Sequence, residues 1–325
     1  MFAALILAVL GLAAAGAVPM SALDQRDQLA QADAALQAGE ADKALALLNT
    51  LAQPDGKPEA YNLRCRVLIT LELWDRAASD CEQAVKLDGQ NSNDHMWLAR
   101  VLGEKASRAS FLNAFALAKR TRVEFEEAVQ LNPSNAAALA DLGEFYYSAP
   151  AMVGGGVDKA EGVAAQLDKV DPVRAHELRG HIAEKQKDYG TAERELKQAI
   201  AHSAHPAFQW ITLASFYRRS ERWTEMESAL HSGESAAAKD KQAGVALYNG
   251  AALLRATNRD PARAAKMLAS YLAGSAKTED APAFVAHTWL ALLRAQLGDA
   301  AAASRERAAA LALASEYKPA QDLKN

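Results

Sequence analysis

The sequence predicts an all-α solenoid of stacked antiparallel helix pairs, and three observations lead there. Of 325 residues, 50% are hydrophobic but only 6% aromatic. Much of the apolar content is alanine, the strongest helix former, while strand-favouring residues are sparse. Landmarks recur every 34 residues: His176 with Trp210, Gly180 with Ala214, Tyr189 with Trp223, Ala192 with Met226, Leu196 with Leu230. Tyr61, Cys65 and Leu68 return in the same way as His95, Ala99 and Leu102. A fixed period of this length marks a repeat architecture, in which each unit buries surface against its neighbours. Pro133 and Pro172 stand at unit ends, where proline stops the helix before it.

From the N-terminus, Met1 to Pro19 carries no charged side chain and ends in small residues. Residues 1–22 are expected to be an export leader, with Ala15-Gly16-Ala17 or Ala22 as the cleavage signal. No Lys or Arg precedes the apolar run, and its length approaches a bilayer span, so an uncleaved anchor is the alternative. The protein is therefore expected in the periplasm or outside the cell. About eight helical pairs follow over 23–317, beginning near residues 25, 58, 92, 136, 173, 207, 241 and 284, with a tail at 318–325. Two units are longer than 34. About ten extra residues lie between Ala99 and Ala128, and Arg108 to Leu131 holds neither Gly nor Pro, which predicts a lengthened helix projecting from the stack. About five more fall in Ser148-Ala149-Pro150-Ala151-Met152-Val153-Gly154-Gly155-Gly156.

In the best-matching units the order is a large residue, a Leu-small pair and an aromatic. Alanine, an apolar residue and a second small residue follow in the next helix. Two helices approach closely only where both present small side chains, with larger ones locking the pair above and below. Leu142-Gly143 with Tyr146, Trp210 with Leu213-Ala214 and Tyr217, and Ala77, Ala84, Ala128, Ala192 and Ala199 carry this pattern. It resembles the tetratricopeptide repeat. The resemblance implies a right-handed superhelical solenoid whose first helices line a concave groove for a protein or peptide. Trp97-Leu98-Ala99-Arg100, Gly103-Glu104-Lys105-Ala106, Glu144-Phe145-Tyr146 and the loop from Pro150 to Ala160 are similar to a group of bacterial envelope proteins of this kind.

Positions one and four after each small-residue slot are expected in the groove. They are Arg66, Arg100, Glu144, Tyr147, His181, Glu184, Ser215 and Arg218, a mixed-charge strip suited to charge-assisted hydrogen bonds with a peptide. The Lys and Asn clamp by which some family members hold chaperone tails is absent from this strip.

Cys65 and Cys81 lie eight residues either side of Leu73, at the turn between two antiparallel helices, so they face one another. In an oxidising compartment they are expected to pair as a disulfide.

Other motifs weigh against chemistry. The net charge is −4, with 36 Lys and Arg against 40 Asp and Glu, which disfavours nucleic-acid binding. The one basic cluster, Lys119, Arg120 and Arg122, reads as a solvated helix face. Gly154-Gly155-Gly156 continues into Val157-Asp158-Lys159 instead of a phosphate-loop Lys-Ser/Thr, and Asp158 would repel an anion. His176 and His181 are five apart, about 140° from each other around a helix, so they do not share a metal. His202 and His205 read as solvated turn residues before Pro206. No nucleophile elbow or Cys-x-x-Cys pair occurs. The expectation is a non-enzymatic scaffold without metal or cofactor. The alternative is an accessory protein that binds a small ligand or polymer through the loop at 148–158 and the projecting helix.

Overall fold

The computed structural model describes residues 22–53 and 56–323, and these are all helix, turn and loop. The expected leader over 1–22 lies, but for Ala22, outside the described residues. No described helix is long and apolar enough to cross a membrane.

Among the described residues, eight antiparallel pairs succeed one another. They are α1 (Ala22–Ala38) with α2 (Ala41–Leu51), α3 (Pro58–Thr70) with α4 (Trp74–Leu87), α5 (Ser92–Arg108) with α6 (Phe111–Leu131), and α7 (Ala136–Ser148) with α8 (Val157–Leu167). Then come α9 (Pro172–Lys185) with α10 (Tyr189–His202), α11 (Ala207–Arg219) with α12 (Trp223–Ala237), α13 (Gly244–Ala256) with α14 (Pro261–Ala273), and α15 (Ala283–Gln296) with α16 (Ala300–Leu313). Pairs begin within a residue of the places the spacing gives, save the first, which is already helical at Ala22, and the seventh, which opens at Gly244 because residues 241–243 form a turn. Of the tail expected at 318–325, residues 318–323 are described. Tyr317 and Ala320 are buried and seat a short α17 (Lys318–Gln321) on the last pair, where Arg307 donates to the carbonyl of Ala320.

The small-residue slots explain the pairing. Cys65, Ala99, Gly143, Gly180 and Ala214 are buried in the first helices, and Ala77, Ala84, Ala128, Ala192 and Ala199 answer from the second. Gly143 shows the crowding, since a β-carbon there would sit 2.3 Å from the Leu178 side chain of the next pair. Helix starts are capped by side chains of Asn91, Asn135, Asp171, Asp188, Asp260 and Asp299, each accepting a first-turn amide.

Curvature follows from which helices touch. First helices contact first helices of the next pair, as α1 with α3, α7 with α9 and α11 with α13, whereas consecutive second helices do not pack in this way among the described residues. First helices therefore form the inner wall. The curve is tight enough that the ends meet. Gly39 approaches Ala283 so closely that a β-carbon would lie 2.4 Å from its nitrogen. Asp42 accepts the Ser315 amide at 2.9 and 3.1 Å, and Arg76 pairs with Glu316 at 2.7 Å. Buried residues of the first and last pairs belong to one apolar cluster.

Candidate functional site

The small slots are buried against neighbouring helices, either the partner or the next pair, and residues one and four places on lie on another face of the same helix. Around Trp97 the structure brings two of the expected cations together. The Arg100 guanidinium lies 4.3 Å from the Trp97 ring centre and that of Arg66 lies 5.3 Å away. Arg100 donates to Asp141 at 2.6 Å. Trp97, Arg100 and Asp141, with Glu144, Phe145 and Asp280, line a cavity of about 650 Å³.

Arg66 is engaged by the chain itself. Its Nε and Nη2 donate to Glu279 at 2.9 and 2.6 Å, and Nη2 also reaches Asp33 at 3.3 Å. Gln37 reads the same residue twice, donating to the Glu279 carboxylate at 3.3 Å and accepting its backbone N–H at 3.2 Å. Glu279 belongs to the non-helical stretch at 274–282, which joins α14 to α15 and crosses the inner wall beside α1 and α3. Neither Glu279 nor Trp97 follows from the slot rule. An unusually long linker was the signal for the first, and the recurrence of Trp97, Trp210 and Trp289 on first helices was the signal for the second.

The middle of the wall is a second group. Tyr147 stacks on His181 with ring centres 5.9 Å apart. Glu184 accepts two hydrogen bonds from Arg219, at 2.6 and 2.8 Å. Burial raises the Glu184 carboxyl, but the hydrogen bonds from Arg219, with His181 nearby at 3.9 Å, outweigh it and hold the group down at about 2, so it stays charged. Loss of surrounding water pushes Glu144 above the usual carboxylate range, with the charge of Asp141 adding to the effect. Glu144 still meets solvent, because it faces the cavity and not the core. Arg219, outside the expected strip, is thus part of this group.

Further round, Arg218 has a buried Nε with no partner, and Ser215 stands beside it on α11. Arg255 holds the matching position on α13, four residues after the buried Ala251. It lies 4.5 Å over the Trp289 ring, which stacks on Tyr248 at 4.6 Å. Burial lowers the Arg255 pKa from its ordinary value. No ion pair engages Arg218 or Arg255 among the described residues, so the wall holds two cations in adjacent repeats without a carboxylate partner among those residues.

The remaining motifs resolve structurally. Cys65 and Cys81 are joined by a disulfide, with Cα atoms 5.4 Å apart across the α3–α4 pair. The glycine run spends its amides on its own loop: Gly154 donates to Ala151, Gly155 to Pro150 and Gly156 to Tyr146. A β-carbon at Gly155 would lie 1.9 Å from the carbonyl oxygen of Ala149, so the glycines serve a tight turn with no amide left to cradle an anion. His176 pairs with Glu195 at 2.8 Å, away from His181. His205 is exposed as a turn residue, yet it finds an acidic partner in Asp240 at 2.8 Å, which its sequence neighbours do not reveal. No group of three metal-ligating side chains forms among the described residues.

No family model and no curated protein matches the chain. Solved structures do. The chain is similar to a thermophilic TPR protein of Thermus thermophilus, with 18% identity over 59% of this chain and 98% of that one, and a TM-score of 0.51. It is also similar to a tetratricopeptide repeat protein from Parabacteroides merdae, with 14% identity over 83% of this chain and 98% of that one, and a TM-score of 0.45. With eight packed pairs and the small-residue slots that hold them, the chain folds as a tetratricopeptide-repeat solenoid.

Proposed function

We propose that the protein is a non-enzymatic scaffold or adaptor of the bacterial cell envelope, holding a segment of another protein along its inner wall. One observation carries the reading: the wall already seats a non-helical, turn-containing segment of the chain itself. Arg66 and Gln37 recognise both the carboxylate and the backbone of Glu279, which is how a peptide is held by charge-assisted hydrogen bonds. Further along, Arg218 and Arg255 lack such a partner, and Trp289 and Tyr248 give a flat apolar surface beside them. Fold alone does not assign a role, so the proposal stands on these side chains.

Export is part of the same proposal. The charge-free start of the sequence and the disulfide between Cys65 and Cys81 both suit an oxidising compartment. The protein then resides in the periplasm or is secreted, tethered if its leader is retained.

A crosslinking pull-down from native envelopes tests the role. The unmodified protein should recover a specific protein, and an Arg218→Ala, Arg255→Ala variant with an unchanged melting temperature should lose most of it. Recovery unaffected by the double substitution would move the interface off this wall. No specific protein recovered by either form would remove the scaffold reading.

A further inference from the structure

The third pair departs from its neighbours in a way the inner wall does not use. Helix α6 has 21 residues, whereas the other second helices have 11 to 15. At 1.5 Å per residue it reaches roughly 10 Å beyond a 14-residue counterpart. The end carried outward bears Phe111 and Leu112, 74% and 79% exposed, the two most exposed large apolar side chains described. From Lys105 to Val123 the chain has five cations, Lys105, Arg108, Lys119, Arg120 and Arg122, and no acidic residue.

Beside this apex lies a cleft of about 610 Å³ lined by Trp74, Asp75, Lys105, Arg108 and Arg120. The Arg108 guanidinium covers the Trp74 ring at 4.4 Å, and the Lys119 ammonium lies 4.4 Å over Phe115. Asp75, Glu82 and Glu104 each hold one of the cations in a largely solvated pair. Such pairs are weak and exchange readily for another anion.

We propose that this tip docks on an anionic phospholipid bilayer, with Phe111 and Leu112 sinking to the acyl boundary and the basic cleft taking lipid phosphate oxygens. An apolar apex above a collar of cations matches the order of layers in a membrane surface, and Trp74 sits where an interfacial aromatic belongs. A protein partner would need a pocket shaped to a lone convex knob, whereas a bilayer yields to it. Lys119 and Arg120, expected to be a mere solvated face, thereby gain a role independent of the inner wall, whereas Arg122 of the same cluster is half-buried, paired with Glu126 and packed against Gly154.

The test uses the full chain with Leu112→Cys carrying an environment-sensitive fluorophore, Cys65 and Cys81 being bonded to each other. A second label at Lys239→Cys, exposed on a distant repeat, is the control. Both report locally, so a leader that itself binds vesicles does not imitate tip insertion. With phosphatidylglycerol vesicles the label at 112 should shift to the blue and be quenched by acyl-brominated lipid, while the label at 239 stays silent. Phe111→Ser, and separately Lys119→Glu with Arg120→Glu, should each weaken the response at 112 at least tenfold. A silent label at 112, or an equal response to phosphatidylcholine that charge reversal leaves intact, would overturn the proposal. A response to lipid-free envelope extract but not to vesicles would overturn it in favour of a protein partner.

Discussion

Asp94 is a carboxyl the fold holds at a cost. It is buried at 2% exposure, accepts one hydrogen bond from Asn62 at 2.7 Å, and leaves Oδ2 with no partner. Burial, and then the charges of Asp88 and Glu59, push its pKa up to about 7. For an acid raised in the folded state, the favourable contribution is fully present below the unfolded value near 4. It is lost as pH rises through 7. Asp94→Asn should therefore raise the melting temperature more at pH 8.5 than at pH 5, a difference of order 1–3 kcal/mol. Melts showing the same shift at both pH values would contradict the assigned cause. The cysteines belong to this scale too. Thiol counting on the unfolded, unreduced exported protein should find none. Replacing both cysteines by alanine should cost about 3 kcal/mol in the chain-entropy account of the loop they close. Their pairing follows from equal distances to one turn. Asp94 was not open to the same reading, because its burial depends on the neighbouring pair.

The helical elements follow from period and small-residue slots, and their turns show where that reading stops. Glu72, Lys187 and Glu221 adopt left-handed backbone at φ 62°, 65° and 59° in the turns of three pairs. Gly39 and Gly298 do the same work elsewhere at φ 76° and 82°. Glutamate and lysine carry no local mark of this conformation, so only packing reveals it. Glycine at each of the three positions should stabilise the stack by about 0.5–1 kcal/mol, since the β-carbon is disfavoured there. Additive rises in denaturation midpoint across single, double and triple variants are the expected result. The run from Arg108 to Leu131 predicts one lengthened, projecting helix, and α6 is that helix; the chain turns at 109–110, and α5 is lengthened with it. Nothing in a run without Gly or Pro marks that break.

At the scale of the whole molecule, the unforeseen feature is closure. Slot spacing places Arg66 on the inner wall, but not the Glu279 that reaches it from 213 residues away. Curvature accumulates over eight pairs, and a period gives no value for it. With side chains 17% and 13% exposed, the Arg66–Glu279 pair is largely withdrawn from water. Arg66→Ala and Glu279→Ala should each destabilise, and the double variant by less than their sum, with a coupling of about 1–2 kcal/mol. Additive losses in urea unfolding would mean that the ends are held by other contacts.

The central claim is that the inner wall holds another protein's segment. Its most direct test is a photoreactive residue at Ser215 on the inner wall, compared with one at the exposed Ala165 on α8, in cells making the native chain. A discrete protein adduct from Ser215, absent from Ala165, is the predicted result. The same adduct from Ala165 and none from Ser215 would contradict it.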